Sequence, residues 1–356
     1  MIITRTPLRV SFLGGGTDYP DYFRQHGGQT LGVAIDKYTY ITLKGLAPIF
    51  DHAFHVSYRK TELVQDLGDI QHPSVRECCR HLGIEGGVEV HYVGDLPARS
   101  GLGSSSSFTV GLLHALHAYR GELVGQAELA AEAVHVEREM IGERVGCQDQ
   151  YTCAMGGLVH LEYPPEGPVR IRRIPLNVQR LGELEQCLML FYTGIQRMAH
   201  QVLNEQMEKT RAGTINGDLQ QLGSLVNDGI GVLTGSGAVT DFGALLHEAW
   251  TIKRGLSSKI TSDLIDQQYA RARAAGALGG KLLGAGGGGF LLVLAEPEAH
   301  ASIESALDMP RVPIAFDALG TSLLFCDPRT NAGATLATRV PAGVRASSGR
   351  PLDGTS

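Results

Sequence analysis

The segment that decides the fold is a loop rich in glycine and serine, LPARSGLGSSSS at residues 96–107. Val88 and Val90 alternate with polar residues shortly before it, which predicts a half-buried strand. An apolar stretch over residues 108–119 predicts a helix directly after it. Glycine lets backbone amides approach a ligand, and a helix N-terminus adds unpaired N–H groups and partial positive charge. The loop therefore predicts an anion cradle, most naturally for phosphate.

The composition of this loop favours a phosphate and magnesium site over a simple connection. Serine hydroxyls can bond phosphate oxygens or Mg²⁺, which prefers hard oxygen ligands. No lysine precedes the serines, so this is not a Walker loop. A flexible linker is the alternative interpretation, although linkers rarely join a strand to an apolar helix. The candidate phosphate-binding residues are Gly101, Leu102, Gly103, Ser104, Ser105 and Ser106.

A second glycine run, GAGGGG at residues 284–289, formally matches the dinucleotide pattern G-x-G-x-x-G. That pattern requires a strand before the glycines and a helix after them. Here the predicted order is reversed, with a helix over residues 262–278 before the run and a strand over 290–294 after it. Alone, the run is an ordinary tight turn. Together with the serine loop it predicts a second wall of one phosphate site, with contacts from Gly286, Gly287 and Gly288.

Two carboxylates are candidates for metal binding and catalysis. Glu137 lies at i+4 from Ala133 and i−3 from Met140, at the edge of an apolar helix face. It is either an ordinary paired surface charge or a metal ligand that faces the phosphates. Asp149 is predicted to lie in a loop after that helix. There it is either a helix cap or the group that accepts or steers a hydroxyl proton.

The predicted first strand, over residues 2–13, carries Arg9 and runs into the glycine-rich segment that ends at Asp18. Arg9 is either part of a structural ion pair or a group that offsets charge in a transition state. Asp18 is suited to hold sugar hydroxyls, since a carboxylate accepts several hydrogen bonds. An Asx-turn is its alternative role.

Composition limits the class of protein. A length of 356 residues suggests two domains, and a net charge of −6 argues against nucleic acid as the main partner. We see neither an apolar run of about 18 residues nor the apolar core of a signal peptide, so we expect no membrane partner. The 6 cysteines form no CxxC pair, which indicates neither a zinc site nor a disulfide framework and suits a reducing cytoplasm. No oligomeric state is predicted.

In their order along the chain, these pieces resemble the three motifs of the GHMP kinases, the superfamily of galactokinase, homoserine kinase, mevalonate kinase and phosphomevalonate kinase. The motifs correspond to residues 9–19, 96–106 and 281–289. The resemblance covers nearly the whole chain except its end. It implies an α+β fold, with two α+β domains and the active site in the cleft between them. It also implies ATP as the phosphate donor and Mg²⁺ as a cofactor.

The resemblance also predicts where the domains divide. A Pro- and Gly-rich turn near residue 165 is the candidate boundary. We expect an ATP-binding N-terminal domain over residues 1–165 and a C-terminal domain over residues 166–327. Residues 328–356 have little to bury and are expected to form a disordered tail.

Position by position, the resemblance implies roles for the candidate residues. Asp149 corresponds to the family's catalytic aspartate, and Arg9 occupies the place of the basic residue near the attacking hydroxyl. Glu137, twelve positions before Asp149, corresponds to the magnesium-binding glutamate. Ser105 corresponds to the magnesium-contacting serine, with its two serine neighbours as rivals.

A departure from the galactokinase pattern bears on the substrate. Asp18 corresponds to the sugar-contacting aspartate, but galactokinase-like sequences have Glu-His where this chain has Gly15 and Gly16. Loss of two side chains leaves a roomier pocket and removes contacts that galactose would use. Galactose is therefore not the expected substrate.

A closer likeness is to the D-glycero-D-manno-heptose 7-phosphate kinases. The segments that carry it are TPLR at 6–9 with GGGTD at 14–18, YTG at 192–194, LHEAW at 246–250 with the basic residues that follow, and GALGGK at 276–281. That family phosphorylates the anomeric hydroxyl of a heptose that already carries a distal phosphate. The alternatives are a kinase for another sugar such as fucose, a kinase for a mevalonate-type alcohol, and a non-catalytic sugar sensor on the same fold.

The same segments supply the predicted substrate contacts. Lys253, Arg254 and Lys259, or Arg197, would neutralise the second phosphate of a heptose 7-phosphate. A solvated helix face is the alternative for each of them. The predicted substrate-binding set is Gly15, Gly16, Thr17, Asp18, Thr193, Gly194, Arg197 and Lys253.

Overall fold

A computed structural model describes residues 1–195 and 199–327, and side chains from 203 onward in the second range. Arg197 and the predicted tail therefore lie outside the described residues. The strands of the described part are Ile2–Leu13 (β1), Gly28–Gly45 (β2), Phe54–Ser57 (β3), Thr61–Val64 (β4), Val88–Gly94 (β5), Leu158–Tyr163 (β6), Arg170–Arg173 (β7), Leu188–Tyr192 (β8), Gly279–Leu282 (β9), Phe290–Leu294 (β10), Arg311–Val312 (β11) and Ser322–Cys326 (β12).

Helices alternate with these strands, and short 3₁₀ turns separate some of them. The α-helices of the described part are Pro20–His26 (α1), Pro73–His81 (α2), Ser104–Arg120 (α3), Gln126–His135 (α4), Gln148–Met155 (α5), Val178–Cys187 (α6), Ala199–Arg211 (α7), Asn216–Thr234 (α8), Phe242–Lys253 (α9), Asp263–Ala274 (α10) and His300–Leu307 (α11). None of the helices in the described ranges combines the length and the apolar character needed to cross a membrane.

The first sheet has eight strands in the order β12-β1-β2-β5-β3-β4, with β6 and β7 branching from β2. Its pairings are antiparallel except for the parallel pair of β3 and β5. Two of its strands, β7 and β12, lie beyond residue 165 in the sequence. The sheet therefore extends past the predicted domain boundary, and the division of the chain into domains stays a prediction.

The second sheet is smaller, with four antiparallel strands in the order β11-β8-β10-β9. The buried strand β10 lies inside it, as its continuous apolar sequence requires. Lys281 of β9 reaches across to the first sheet, where its ammonium donates to the carbonyl of Phe12 at 2.7 Å. This bond ties the two sheets together beside the end of β1.

Two apolar cores support this arrangement. One packs α2, α3, α4 and α5 against the strands of the first sheet, with Val75, Leu116 and Leu129 among its buried residues. The other joins the end of β1 to α8, α9 and the second sheet. There Phe12 and Phe242 meet edge to face with ring centroids 5.3 Å apart. Both cores therefore hold β1, and β1 carries Arg9.

Several predicted elements are confirmed, and three predictions were wrong in detail. The first strand spans Ile2–Leu13 as predicted. The helix after the serine loop begins at Ser104, so the serines form its first turn instead of a preceding loop. Asp149 lies in the first turn of α5, not in a loop. The GAGGGG run joins two antiparallel strands, because β9 precedes it.

Candidate active site

The predicted motifs converge where β1, the N-termini of α3 and α5, the end of α9 and the β9–β10 turn meet. The backbone amide of Arg9 donates to the carbonyl of Leu102 at 3.0 Å, which fixes the serine loop against β1. The N-cap residue of helix α3 is Gly103, whose φ of 72° lies in the left-handed region. The first N–H groups of a helix have no intrahelical partner, so this 17-residue helix presents them at the loop.

The two glycine segments lie directly against each other. A Cβ on Gly284 would lie 2.5 Å from the Cα of Gly101, and a Cβ on Gly101 would lie 2.6 Å from the carbonyl oxygen of Leu283. Both glycines also have positive φ, 72° and 84°. Side chains at either position would separate the two segments. The structure therefore brings the two predicted walls together through their backbones.

The rest of the second glycine run, residues 286–289, packs against the backbone of Ile260 and Ile195. The amide of Gly287 donates to the carbonyl of Ile260 at 2.8 Å, and the amide of Gly289 donates to Ile195 at the same distance. Gly286 and Gly288 back onto Ile260 and Ile195 so closely that a Cβ would collide with backbone. The amide of Gly287 is thus already engaged, which weighs against it as a phosphate donor in this conformation.

Arg9 and Asp149 form the central pair of the site. The Nε and Nη2 atoms of Arg9 donate to the two carboxylate oxygens of Asp149 at 2.8 and 2.7 Å, and Nη1 donates to the carbonyl of Gly101 at 2.7 Å. Arg9 is buried, whereas 28% of the Asp149 side chain is exposed. Burial lowers the pKa of Arg9, but the charge and hydrogen bonds of Asp149 outweigh it and raise the pKa above the usual value.

Asp18 lies beside this pair and is almost fully buried. Its carboxylate accepts hydrogen bonds from the amides of Gly16 at 3.0 Å and Gln148 at 3.3 Å. Burial and then the negative charge of Asp149 raise the pKa of Asp18. Gly146 packs on this carboxylate so closely that any Cβ there would overlap it. Asp18 is therefore held rigidly at the N-terminus of α5, next to Asp149.

Glu137 lies in a π-helical turn, Val136–Met140, that follows α4, and it is fully buried. Single π turns occur frequently at functional sites. Its Oε2 accepts hydrogen bonds from Ser106 at 2.9 Å and Gln150 at 2.5 Å. Its Oε1 is buried without a hydrogen-bond partner among the described residues. Burial raises the pKa of Glu137 to about 7, although neighbouring donors act against this shift.

The structure distinguishes between the rival serines. Ser106 is buried and donates to Glu137, whereas Ser105 is exposed. The hydroxyl of Ser104 instead accepts from the amide of Arg99 at 3.3 Å. Ser106 is therefore the serine that contacts the buried glutamate, and the contact of Ser105 to magnesium stays a prediction.

Lys253 lies at the centre of the site, at the C-terminus of α9. Its ammonium donates to the carbonyls of Gly284 at 2.6 Å and Leu282 at 3.2 Å. Burial and then the positive charge of Arg9 lower its pKa to about 8. The structure thus places Lys253 against the glycine turn, within electrostatic reach of Arg9 and Asp149.

Lys281 is a site residue whose chemistry the sequence did not reveal. Burial and then the charge of Lys253 lower its pKa well below the usual value. Its position inside the third motif was a signal, but no rule of spacing distinguishes it from an ordinary strand residue.

The remaining predicted substrate contacts are only partly brought together. Gly15 and Gly16 adjoin the site, since a Cβ on Gly15 would lie 3.6 Å from Gln148 and one on Gly16 would lie 3.1 Å from Gln206. Thr17 is buried, and its hydroxyl lies 2.8 Å from the carbonyls of both Gly14 and Gln29, to either of which it can donate, while it accepts from the amide of Gln29 at 3.0 Å. That hydroxyl is therefore committed to the backbone, which weighs against Thr17 as a substrate contact through its side chain.

Thr193 and Gly194 follow β8 and lie apart from the other predicted contacts. The Thr193 hydroxyl donates to the carbonyl of Gly289 at 2.9 Å, which holds the end of the glycine turn. Both residues line a cavity of about 420 Å³ whose other walls come from α10 and residues 308–310. The lining of this cavity includes neither Asp18 nor Asp149.

Comparison with known proteins agrees with this arrangement. The profile described as "GHMP kinases N terminal domain" matches residues 71–157, and the "GHMP kinases C terminal" profile matches residues 210–308. The D-glycero-alpha-D-manno-heptose 7-phosphate kinase of Campylobacter jejuni is 29% identical over 318 residues, which cover 86% of this chain and 93% of that protein. The galactokinase of Thermotoga maritima is 25% identical over 85% of this chain and 92% of its own length.

Other relatives add fucose kinases and solved structures. The bifunctional fucokinase/GDP-fucose pyrophosphorylase of Arabidopsis thaliana is 28% identical over 83% of this chain but only 30% of that longer protein. The crystal structure of a D-glycero-D-manno-heptose 1-phosphate kinase from Bacteroides thetaiotaomicron superposes with a TM-score of 0.74 at 22% identity, covering 91% of this chain and 99% of that one. This last likeness supports the fold alone.

The fold and the paired glycine segments define a phosphotransferase that uses ATP and acts on a hydroxyl group, and the chain belongs to the GHMP kinase superfamily. Its relatives narrow the class further, since they include kinases of heptose phosphate, fucose and galactose. The protein is an ATP-dependent sugar kinase of the GHMP type, and the predicted fold class is confirmed.

Proposed function

We propose that this sugar kinase transfers the γ-phosphate of ATP to the anomeric hydroxyl of D-glycero-D-manno-heptose 7-phosphate and forms the 1,7-bisphosphate. The observation that carries the proposal is the bidentate Arg9–Asp149 pair, which lies between the glycine cradle and the buried Asp18. The Campylobacter relative, aligned over 86% of this chain, supports the choice of sugar. Gly15 and Gly16 lack the Glu and His side chains of galactokinase-like sequences, which argues against galactose. The roomier pocket expected from the sequence does not form at Gly16, where a Cβ would lie 2.9 Å from Leu219.

In this proposal the reaction runs between the cradle and Asp149. The anomeric oxygen attacks the γ-phosphorus, the bond from that phosphorus to the β,γ-bridging oxygen breaks, and ADP leaves. Asp149 accepts the hydroxyl proton through the carboxylate that Arg9 orients. Arg9 offsets charge on the transferring phosphoryl group, while Asp18 holds sugar hydroxyls. Position and electrostatics supply most of the rate, as is general for phosphoryl transfer.

The cofactor proposed is Mg²⁺, and the site offers ligands that suit it. Glu137 presents a buried carboxylate oxygen without a partner among the described residues, and Ser106 or Ser105 adds a hydroxyl oxygen. Oxygen ligands of this kind are those that Mg²⁺ prefers. When bound there, the ion would neutralise phosphate charge. Glu137 would then bind as a carboxylate even though its pKa is raised to about 7 without the ion.

For Lys253 we propose a different role from a contact to the distal phosphate. Its ammonium is bonded to the carbonyl of Gly284, so it lies beside the glycine cradle. Burial and then the positive charge of Arg9 lower the pKa of Lys253 to about 8. The ammonium of Lys253 therefore lies close to Arg9, the residue proposed to act on the transferring phosphoryl group. We therefore assign Lys253 to the γ-phosphate region. The contact to the distal phosphate falls to Arg197, outside the described residues, or to the exposed Arg254 and Lys259.

The test is an ADP-release assay with ATP and Mg²⁺ that compares heptose 7-phosphate, free heptose, mannose, galactose and fucose at equal concentrations. We expect turnover with heptose 7-phosphate at a kcat/KM at least about tenfold above that for free heptose, since one charged contact contributes about 1.5 to 3 kcal/mol. The variants Arg197→Ala, Arg254→Ala and Lys259→Ala separate the distal contact from catalysis. At least one of them should raise the KM for heptose 7-phosphate and leave the KM for ATP unchanged.

The outcomes distinguish the proposals. Turnover with fucose or another unphosphorylated sugar at an equal or higher kcat/KM would contradict the heptose 7-phosphate assignment and leave the sugar kinase intact. Fucose is the rival to include, because a fucokinase is 28% identical over 83% of this chain. Loss of turnover in Lys253→Met with an unchanged KM for heptose 7-phosphate would support the reassignment of that lysine.

A further inference from the structure

A second polar cluster lies on the first sheet and shares no residue with the site described above. His55 of β3 is the direct ladder partner of Glu89 of β5. His91 follows Glu89 by two residues and so points from the same face of the sheet. One strand pair thus presents two imidazoles and a carboxylate side by side. This arrangement depends on the single parallel pairing in the sheet, which joins strands that are 30 residues apart in sequence.

The potential ligand atoms of the three residues converge. One nitrogen from each histidine and one carboxylate oxygen all lie within 4.8 Å of one another. The Nε2 atom of His91 lies 2.5 Å from Oε1 of Glu89, and Nδ1 of His55 lies 3.5 Å from the same oxygen. A tetrahedral ion bonded at about 2.1 Å holds its ligand atoms about 3.4 Å apart. Small side-chain rotations therefore suffice to place all three atoms around one ion.

Hydrogen bonding alone does not account for the cluster. The contact from His55 to Glu89 is longer than an ordinary hydrogen bond of about 2.7 to 3.2 Å. Lys44 pairs with the other carboxylate oxygen, Oε2, at 2.8 Å, and leaves Oε1 facing the two imidazoles. The cluster is thus organised around one carboxylate oxygen that two ring nitrogens approach.

A third histidine lies next to this group. The ring of His52 is 5.9 Å from that of His55, and the ring of His55 is 5.2 Å from that of His91. The Nδ1 atom of His52 faces Asp51 at 3.0 Å, whereas its Nε2 is buried without a hydrogen-bond partner among the described residues. A buried nitrogen without a partner is costly, and a metal ion nearby would relieve that cost.

We propose that this cluster binds one divalent transition-metal ion, zinc by preference, through His55, Glu89 and His91. Imidazole nitrogens favour zinc and related metals, whereas Mg²⁺ and Ca²⁺ favour sites made of oxygen alone. Three protein ligands are the common number for an open zinc site, and four for a closed one. The bound ion would fasten β3 to β5, the strand that leads into the phosphate loop.

The test uses the full chain without a histidine tag, freed of metal and titrated with Zn²⁺ by calorimetry in millimolar Mg²⁺. The magnesium saturates sites made of oxygen, so that Glu137 does not compete. Cys326 is the exposed cysteine among the described residues, and it is replaced by serine in every protein tested. We expect one equivalent of zinc to bind.

The affinity should fall by at least about 10- to 100-fold in His91→Gln and in His55→Gln. His26→Gln is the control, since His26 is exposed and lies outside the cluster, whereas His55 and His91 are half-buried. Unfolding curves without metal show whether each variant is folded. Glu89→Gln, which keeps the shape of the side chain, provides a third variant should a histidine variant fail to fold.

A spectrum of the cobalt-loaded protein provides a readout that needs no cluster variant. We expect visible d–d bands of a four- or five-coordinate nitrogen and oxygen site, without a thiolate charge-transfer band. A thiolate band would place the ion on a cysteine and overturn the proposal. Zinc affinity that is unchanged in the His55→Gln/His91→Gln double variant would overturn it as well, as would the absence of binding to the unmutated cluster. None of these outcomes depends on which sugar the kinase phosphorylates.

Discussion

The two carboxylates of the active site, Asp149 and Glu137, occupy opposite electrostatic environments. Asp149 is partly exposed, and its two hydrogen bonds from side chains among the described residues come from the guanidinium of Arg9. Glu137 is fully buried, receives neutral donors on one oxygen, and has no partner among the described residues on the other. The protein therefore supplies the opposite charge for Asp149. For Glu137 it supplies neutral donors, while burial and then the negative charge of Glu143 raise the pKa of Glu137.

This difference indicates which group is prepared for which task. The guanidinium of Arg9 holds the carboxylate of Asp149 in one orientation, as a group that steers a hydroxyl proton requires. A buried carboxylate with a pKa of about 7 is costly to ionise unless a cation arrives from outside. Substitutions at each position should therefore fail in different ways, and the predictions below follow from this comparison.

The largest effect is expected at Asp149. Asp149→Asn removes the charge that Arg9 offsets and the oxygen that accepts the proton, so kcat should fall by about 10² to 10⁴. The measurement is ADP release at saturating ATP and sugar. Asp21→Asn is the control, because Asp21 also pairs with an arginine, Arg211, but outside the site. Nearly full turnover in Asp149→Asn would show that this carboxylate is not the base.

The next effect concerns the glycine walls that lie beside both carboxylates. Gly284→Ala places a Cβ 2.5 Å from the Cα of Gly101 and strains a backbone with a φ of 72°. The cradle should open by a fraction of an ångström or more, and kcat/KM for ATP should fall by about 10²-fold. Gly182→Ala is the matched control, since a Cβ there meets no atom within 4 Å. Equal activity in the two variants would refute the close approach.

A third prediction tests the burial of Glu137 by its pH dependence. The folded-state pKa of about 7 exceeds the usual 4.5, so the unfolded chain releases this proton first as the pH rises. Without Mg²⁺, the free energy of unfolding of the wild type should therefore decline between pH 4.5 and 7 relative to that of Glu137→Gln, by up to about 3 kcal/mol. Below pH 4.5 the difference should no longer change with pH.

Chemical denaturation at several pH values measures this difference. Mg²⁺ should reverse the decline in the wild type alone, and the Mg²⁺ concentration needed for half-maximal turnover should rise by about 10- to 100-fold in Glu137→Gln. Parallel stability curves for the two proteins, or an unchanged Mg²⁺ requirement, would count against Glu137 as the metal ligand.

The smallest effect distinguishes the two serines. Ser106→Ala removes one hydrogen bond to Glu137, which contributes about 1 kcal/mol, so the Mg²⁺ requirement should rise roughly fivefold. Ser105→Ala is the comparison, because Ser105 is exposed and should change the requirement by less. The reverse order would return the metal contact to Ser105, as the family resemblance implied.

Much of the fold could be predicted because local signals agreed with the final structure. The alternation before the serine loop gave β5, and the apolar run of residues 290–294 gave β10. Strand β9 was missed because Gly279 and Gly280 weaken the strand pattern. Close packing explains why these positions are glycine, since a Cβ on Gly280 would collide with the carbonyl of Leu292 on the neighbouring strand.

The sequence predicted which residues belong to the site better than it predicted the contacts between them. The order of the motifs predicted that Arg9 and Asp149 belong to one site. It did not predict their hydrogen bonds, because no local rule pairs residues that are 140 positions apart. The π turn at Glu137 has no sequence signature, so its burial became visible only in three dimensions. The commitment of Lys253 to backbone carbonyls was equally hidden, because a basic residue at a helix end usually suggests a solvated charge.

The pairing of β12 with β1 has a consequence for how the protein is made. Residues 322–326 complete a sheet whose neighbouring strand is residues 2–13, so more than 300 residues separate the two partners. During synthesis β1 would leave the ribosome with one edge unpaired, and it would stay so until β12 emerged. An uncovered edge of this kind is prone to pair with other chains. Fragments that stop before residue 322 should therefore aggregate, and chaperone demand should fall sharply once translation passes β12.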